Sequence, residues 1–192
     1  MHILRNGAKS MKIEIITIPK EGETENGDAY FVRVADDGTT LAVIDGIGHG
    51  AEAHLASQTA VECLEECCGQ DLVDAIKECH AALQSTRGAV IGIARIVDEC
   101  IRFSGVGNIT ALKVGGGESH FTSMNGIVGR NLKVVKTFFY PYSVGDVIVM
   151  HSDGIEKLDI TRYDLSHDLR DIGDAILSKH RVDDDSTILL AR

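Results

Sequence analysis

The sequence has little that would place the protein in a membrane or on nucleic acid. No apolar run approaches the roughly 20 residues that cross a bilayer, and the N-terminus, Met1-His2-Ile3-Leu4-Arg5, lacks the apolar core of a signal peptide. Basic residues are fewer than acidic ones: the chain has 19 Lys and Arg and 29 Asp and Glu, which gives a net charge of −10. Such an acidic protein is a poor partner for nucleic acid or an anionic membrane. We therefore expect a cytoplasmic protein that binds neither.

Cysteine frameworks and nucleotide loops are also missing. Cys63 and Cys67 are one helical turn apart, but the Cys-x-x-Cys spacing of a zinc knuckle is absent. The triplet Gly115–Gly117 lacks the Lys-Ser/Thr ending of a phosphate loop, so we interpret it as a turn. The cysteines are odd in number and sit in helical or strand patterns, so we expect them to be reduced and structural: Cys63, Cys67, Cys68, Cys79 and Cys100.

The length and composition fit one globular domain over residues 1–192, with 44% hydrophobic and 25% charged residues. Residues 1–10 are interpreted as a flexible leader, and Met11 opens the first regular pattern. The predicted strands come in hairpins rather than alternating singly with helices. This grouping predicts an α+β layered fold, not a parallel doubly wound one.

Apolar periodicity assigns the secondary structure. Helical spacing covers 51–68, 72–83 and 165–176. Strand patterns, with turns at Asp36-Asp37-Gly38 and Asp98-Glu99, cover 12–18, 29–36, 40–45, 88–96, 100–105, 109–114, 118–123, 132–139, 147–150 and 188–190.

Two of these strands end in the same way. Residues 41–44 run into Asp45-Gly46, and residues 147–150 run through His151-Ser152 into Asp153-Gly154. A continuous apolar run predicts a strand buried on both faces. The glycine after each aspartate leaves a backbone carbonyl within reach of an ion, and Mg²⁺ and Mn²⁺ prefer carboxylate and carbonyl oxygens.

Further acids flank two other strands. Asp28 precedes the strand at 29–36, and Asp183–Asp185 precede the last strand. Taken singly, an Asp-Gly pair is a turn and an acidic triplet is a solvated loop. Taken together, these acids favour a divalent-cation site. Bound cations would also let an acidic protein act on an anionic substrate.

Four segments resemble the ordered motifs of the metal-dependent serine/threonine protein phosphatases of type 2C. The resemblance is to the SpoIIE/RsbU/RsbX-like bacterial branch, whose motifs are Gly-Asp, Asp-x-x-Gly-His-Gly, Ser/Thr-Asp-Gly and Asp-Asp-x-Thr. Each motif is weak alone, but four in order from Asn26 to the C-terminus form a specific pattern. The segments are Asn26-Gly27-Asp28, Ile44-Asp45-Gly46-Ile47-Gly48-His49-Gly50, Ser152-Asp153-Gly154 and Asp184-Asp185-Ser186-Thr187.

The resemblance implies an antiparallel β-sandwich flanked by helices on both faces (α-β-β-α) and a site for two Mn²⁺ or Mg²⁺ ions. Asp45 would bridge the ions, and the Gly46 carbonyl would complete the shell of one. Asp153 and Asp184 would hold the second ion. Asp28 would bind a metal directly or through water. These aspartates would act through a metal-bound water that attacks phosphorus in line, so no covalent nucleophile is needed.

Three residues leave alternatives open. Asp184 is chosen as a ligand because Asp185-Ser186-Thr187 then completes the fourth motif, with Asp185 the alternative and a possible ligand of a third ion. His49 is either a general acid or a support for the turn, and we favour the supporting role. His151 lies on a strand and is interpreted as a core residue.

Within the bacterial branch, Asn26–Tyr30 and Gly105–Ile109 are most similar to the stand-alone feedback phosphatases of the stressosome. That similarity implies phosphoserine or phosphothreonine on STAS-domain proteins of the RsbS/RsbR kind as substrates. The chain departs from the wider family in having no evident phosphate-binding arginine near Asp28. Arg33 lies on the strand and is interpreted as pointing away.

Two other hypotheses remain. One is a phosphatase-fold module that docks STAS-domain partners without catalysis, although the full set of aspartates argues against lost activity. The other is a structural protein in which Asp-Gly pairs are turns that hold a cation.

Overall fold

A computed structural model describes residues 11–67 and 69–192, so the predicted leader over 1–10 and Cys68 lie outside the described residues. The helices are α1 (Ala51–Glu66), α2 (Leu72–Ala82) and α3 (Leu169–His180), with single 3-10 turns at Leu83–Ser85 and Ile160–Arg162. The strands are β1 (Ile13–Ile18), β2 (Asp28–Ala35), β3 (Gly38–Gly46), β4 (Ala89–Val97), β5 (Cys100–Val106), β6 (Thr110–Val114), β7 (Glu118–His120), β8 (Gly126–Ile127), β9 (Asn131–Leu132), β10 (Phe138–Pro141), β11 (Val147–His151) and β12 (Ser186–Ala191).

These strands form two five-stranded antiparallel sheets and one short hairpin. The first sheet has the order β1-β12-β11-β6-β7, the second has the order β10-β5-β4-β3-β2, and β8 pairs with β9. Helices α1 and α2 pack on the outer face of the second sheet, and α3 packs on the first. A third core joins the inner faces of the two sheets. This α-β-β-α sandwich confirms the predicted fold class.

The strands that lead into Asp-Gly are buried on both faces, as their sequence predicts. In β3, Leu41 and Val43 belong to the core between the sheets, whereas Ala42 and Ile44 pack beneath the helices. Because successive side chains of a strand point to opposite faces, only a strand covered on both sides needs apolar residues at every position. Strand β11 alternates in the same way between the inter-sheet core and the core beneath α3.

The prediction of one strand over 132–139 was wrong. Strand β9 ends at Leu132, β10 begins at Phe138, and residues 133–137 belong to no strand. An alternating apolar pattern fits any segment that lies across a partly buried surface. A strand also needs a neighbour with free backbone groups, and 133–137 pairs with none in the described part of the chain.

The helices differ from their predictions only at their ends. Helix α3 begins at Leu169, after the predicted start at Leu165, because the Asp168 side chain accepts a hydrogen bond from the Arg170 amide and caps the helix there. Asp71 caps α2 in the same way, through the Val73 amide. No helix in the described ranges is long and apolar enough to span a membrane.

Candidate active site

Asp28 and Asp45 lie directly opposite each other on neighbouring strands. Asp28 is the first residue of β2 and pairs with Asp45, the last residue but one of β3. The tight hairpin sets this register. Ala35 pairs with Gly38 at the turn, and the pairs continue one residue at a time along both strands to Asp28 and Asp45. Like charges directly across a ladder repel. The pair therefore needs a proton or a cation to offset its repulsion.

Ser152 connects Asp28 to the other sheet. Its hydroxyl donates a hydrogen bond to Oδ2 of Asp28 at 2.5 Å and accepts one from the Thr187 amide at 3.0 Å. The Ser152 amide also donates to the Thr187 carbonyl at 3.1 Å. On the other side, the Asp28 amide donates to the side-chain oxygen of Asn26 at 2.8 Å. The first, third and fourth motifs thus share one hydrogen-bonded network.

Glycine is required after both aspartates because backbone approaches closely there. A Cβ on Gly154 would lie 1.9 Å from the Asp185 carbonyl oxygen, and one on Gly46 would lie 2.1 Å from the Ala53 carbonyl oxygen. The Gly154 carbonyl also accepts a hydrogen bond from the Val182 amide at 3.0 Å. Gly46 therefore admits α1 to the sheet, a reason that differs from the exposed carbonyl expected from the sequence.

The four predicted aspartates line one pocket of about 180 Å³. Gly46, next to Asp45 in the chain, is buried and does not line the pocket. Within residues 11–67 and 69–192, no three His, Cys, Asp or Glu side chains already stand close enough to hold an ion. Mutual repulsion favours this spread, so closing on an ion would need side-chain rotation. The lining consists of Asp28, Asp45, Ile47, Gly48, His49, Asn108, Asp153, Asp184 and Asp185.

Burial and crowding of like charge raise two pKa values in the pocket. Burial, with smaller contributions from the Asp185 and Asp153 charges, raises the pKa of Asp28 to about 7, although the hydrogen bond from Ser152 opposes the rise. Burial also raises the pKa of Asp45 to about 8, and the charge of Asp28 adds to it. Both groups hold a proton more tightly than an ordinary aspartate, which is the behaviour of carboxyls that lack a countercharge.

Asp184 and Asp185 occupy different positions although both line the pocket. Oδ1 of Asp184 accepts a hydrogen bond from the Asp185 amide at 2.9 Å, and its side chain is half-buried. Asp185 is only 4% exposed, and its Oδ1 accepts from the Lys20 amide at 2.9 Å. Its Oδ2 is buried without a hydrogen-bond partner in the described part of the chain. The choice of Asp184 as ligand stays a prediction.

The two histidines of the motifs have different surroundings. His49 is exposed at the pocket rim, where its Nδ1 lies 2.6 Å from Oε1 of Glu23. His151 is buried, which confirms it as a core residue, and its Nδ1 lies 2.8 Å from the Ser152 carbonyl. Burial lowers the pKa of His151, so it is packed as a neutral imidazole.

Sequence reasoning gave no role to three residues at or beside the pocket, one of which, Ser152, belongs to the third motif. Ser152 supports Asp28, and Asn108 donates a hydrogen bond from Nδ2 to Oδ2 of Asp153 at 2.9 Å. Arg87 lies against the backbone of Gly48, since a Cβ there would be 2.8 Å from one of its guanidinium nitrogens. A polar residue after a turn glycine, as in Gly107-Asn108, was the available signal for Asn108.

Arg33 points away from the pocket, as predicted. It forms an exposed ion pair with Asp37 at 2.9 Å, at the hairpin end of β2 and far along the strand from Asp28.

The donor set fits divalent cations. Several carboxylates converge on one small pocket, two of them with strongly raised pKa values, and one buried carboxylate oxygen lacks any partner in the described residues. An unpaired buried oxygen is costly unless something binds it. Oxygen-rich pockets of this kind suit Mg²⁺ and Mn²⁺ rather than soft metals.

Comparison with known proteins gives a consistent set of relatives. Phosphoserine phosphatase RsbX of Bacillus subtilis (strain 168) is 29% identical over 150 residues, which are 76% of this chain and 75% of that protein. A solved chain described under "The bacterial stressosome: a modular system that has been adapted to control secondary messenger signaling" is 30% identical, with a TM-score of 0.90, over 96% of this chain and all of that one. A scan against protein-family models finds no match.

Less similar solved structures share the fold. The crystal structure of RsbX in complex with magnesium superposes with a TM-score of 0.87 at 23% identity, over 99% of this chain and 98% of that one. The PP2C phosphatase domain of SpoIIE from Bacillus subtilis superposes with a TM-score of 0.78 at 21% identity, over 95% of this chain and 62% of that one.

The chain thus belongs to the type 2C (PP2C) family of protein serine/threonine phosphatases, which confirms the family inferred from its four motifs. Within that family it is a bacterial phosphatase similar to RsbX.

Proposed function

We propose that this chain is a Mn²⁺- or Mg²⁺-dependent phosphatase that hydrolyses phosphoserine and phosphothreonine on STAS-domain proteins of a stressosome-like complex. The observation that carries the proposal is the pocket in which the aspartates of all four motifs meet. Asp28, Asp45, Asp153 and Asp184 would hold two ions, with the Gly46 carbonyl as a further donor after local adjustment. Surplus acid at Asp185 would allow a third ion.

The chain's own groups have distinct tasks in this proposal. Bound divalent cations would supply an acidified water and neutralise charge on the phosphoryl group. Asp28 and Asp45 release their protons when they ligate, because a cation replaces the missing countercharge. Ser152 keeps Asp28 oriented through its 2.5 Å hydrogen bond. Asn108 orients Asp153, which is exposed and otherwise free to rotate.

The substrate class is supported by the relatives. RsbX is by name a phosphoserine phosphatase, and the chain at 30% identity comes from a description of the bacterial stressosome. The magnesium in the RsbX crystal structure supports a divalent cation in the aspartate pocket. The exposed rim of the pocket, at His49, Asn108 and Asp153, also suits a phosphorylated side chain presented on a protein surface.

The test is hydrolysis of para-nitrophenyl phosphate and of a phosphoserine-bearing STAS-domain protein with Mn²⁺, with Mg²⁺ and with a chelator. Asp45→Asn and Asp153→Asn should each lower kcat/KM by at least about 100-fold, since even residues that only support metal ligands contribute roughly 10- to 100-fold. Asp37→Asn is the matched control, because it makes the same change at the hairpin end of β2–β3.

The outcomes separate the hypotheses. Turnover that survives the chelator or both substitutions would refute the metal-dependent mechanism. Tight binding of the STAS-domain protein without turnover of either substrate would favour a docking module instead. Turnover of para-nitrophenyl phosphate but not of the phosphoprotein would keep the chemistry and reject the partner.

A further inference from the structure

A pair of arginines lies beside the aspartate pocket in an otherwise acidic protein. Arg87 packs against Gly48, a residue of the pocket lining, and forms an ion pair with Glu52 in the first turn of α1. The Arg130 side chain lies against the backbone of the Arg87-Gly88 segment, with its Nε donating to the Arg87 carbonyl oxygen at 3.4 Å. The Arg87 guanidinium therefore lies beside one edge of the pocket, and Arg130 lies next to the backbone of Arg87.

The fold fixes these arginines rather than leaving them on a loose loop. The Ile47 amide, next to Gly48, donates to the Gly88 carbonyl at 3.0 Å, which ties the pocket loop to the segment that carries Arg87. Ala89 and Val128 exchange two backbone hydrogen bonds of 3.0 and 2.9 Å, which hold the β8–β9 hairpin and Arg130 against the same segment. Backbone pairing thus fixes the segments that carry the two arginines relative to the pocket loop.

The charges at this edge are available to a ligand. Arg87 is 47% exposed, and its partner Glu52 is 67% exposed, so water competes for the pair. Arg130 is exposed and has no carboxylate partner among the described residues. From Ser119 to Gly145 the sequence contains no Asp or Glu, while it contains Arg130, Lys133 and Lys136. The segment that carries Arg130 is therefore basic although the chain carries a net charge of −10.

We propose that Arg87 and Arg130 bind acidic residues that flank the phosphorylated side chain of the substrate, with Arg87 exchanging Glu52 for a carboxylate of the substrate. The inference rests on the proposed phosphatase function and names a substrate preference for the same site. It assigns the arginines to the flanking segment and leaves the phosphoryl group to the aspartate pocket.

Electrostatics explain why such recognition belongs at the rim. The pocket lining carries five aspartates, so an acidic segment gains nothing from the pocket walls. At physiological ionic strength, salt screens the interaction between exposed charges beyond about 8 Å. Only basic groups close to the substrate therefore attract its acidic flanking residues. Arginine suits the task because its planar group can bind a carboxylate through two hydrogen bonds.

The experiment compares two phosphoserine peptides that differ only in their flanks, one with Asp and Glu on both sides and one with Asn and Gln. The readout is the ratio of kcat/KM for the acidic over the neutral peptide, measured with Mn²⁺. Arg87→Gln should lower this ratio about three- to tenfold, the size expected for a charged hydrogen bond at an exposed rim. Glu52→Gln should raise the ratio about two- to fivefold, because it removes the competing carboxylate.

The matched control is Arg33→Gln, which removes the same charge from an exposed Arg–Asp pair remote from the pocket. A ratio that Arg87→Gln leaves unchanged would overturn the proposal. Equal losses on both peptides would overturn it too, by assigning Arg87 to the phosphoryl group. The same holds if Arg33→Gln lowers the ratio as much, since net charge alone would then explain the effect.

A measurement of peptide binding tests the arginine site even if the protein proves to have no phosphatase activity. Fluorescence anisotropy of the two labelled peptides gives a ratio of dissociation constants without turnover. Absence of hydrolysis by the unmodified protein would reject the proposed function, whereas a binding ratio that Arg87→Gln does not change would reject the acidic-flank site.

Discussion

The metal-free protein should become more stable when Asp45 is replaced by Asn. Burial and neighbouring charge raise the pKa of Asp45 from the ordinary 3.8 to about 8. At neutral pH the unfolded chain ionises this carboxyl freely, whereas the folded chain must keep it protonated or accept an unpaired charge. The fold therefore loses stability through Asp45, and asparagine keeps nearly the same shape without the charge.

The magnitude follows from the shift. At pH 7 the difference of about 3.2 units between pH and the ordinary pKa corresponds to roughly 4 kcal/mol, at 1.36 kcal/mol per unit. Asp45 is half-buried, so solvent screening makes this an upper value. We expect Asp45→Asn to raise the free energy of unfolding by about 2 to 4 kcal/mol and Tm by several degrees, at about 2–4 °C per kcal/mol for a domain of this size.

The sign of the pH dependence gives a second readout. A carboxyl whose folded pKa is raised contributes most to stability below its unfolded pKa, and that contribution is lost as pH rises toward the folded pKa. From about pH 6.5 to about pH 8 the metal-free protein should lose about 1.5 kcal/mol through Asp45, and Asp45→Asn should remove that part of the loss. Asp28, whose pKa is raised to about 7, adds a smaller loss in the same window that the variant keeps. Working above about pH 6.5 avoids the titration of His151, whose lowered pKa makes it destabilising only at lower pH.

The assay is urea or thermal unfolding in chelator, with Mn²⁺ added in a parallel series. Mn²⁺ should stabilise the unmodified protein more at the higher pH, where fewer protons compete, and should stabilise Asp45→Asn little. Equal or lower stability of metal-free Asp45→Asn, together with a flat pH profile of the unmodified protein, would refute the reasoning that Asp45 lacks a countercharge.

Three further predictions concern the surrounding structure. Ser152→Ala removes the hydrogen bond to Asp28 and should weaken Mn²⁺ binding about 10- to 100-fold by calorimetric titration, where unchanged affinity would contradict a supporting role. Gly46→Ala places a Cβ 2.1 Å from a carbonyl oxygen of α1 and should cost about 3 kcal/mol or more in urea unfolding, so a near-neutral result would mean that α1 can move. Asp146→Ala leaves the buried Lys113 ammonium without its 2.9 Å partner and should cost about 3–5 kcal/mol, with Mn²⁺ affinity intact because the pair is remote from the pocket.

Much of the fold follows from local sequence. The uninterrupted apolar residues of β3 and β11 require cover on both faces, and that requirement leads to a layered sandwich with helices outside two sheets. Turn residues mark the hairpins, as at Asp37-Gly38 between β2 and β3. The failure at 132–139 has the same physical origin, because side-chain periodicity reports a half-buried surface and says nothing about a partner strand.

The sequence by itself singled out the aspartates that line the candidate site. Two aspartates at the ends of buried strands, each followed by glycine, and four motifs in a fixed order identify the acids and the family. These signals are local, since strand burial and turn chemistry depend on residues near one another in the chain. The register of Asp28 opposite Asp45 also follows from a short hairpin.

Only the tertiary structure decided how the two halves of the site meet. The last strand pairs with the first, Ala191 with Ile13, and the inter-sheet core then brings the Asp153 and Asp184 loops to the open end of the β2–β3 hairpin. The network through Ser152, the contact of Asn108 with Asp153 and the position of Arg87 at the rim all arise from that packing. Contacts between residues far apart in sequence depend on how whole layers fit together, so no local pattern encodes them.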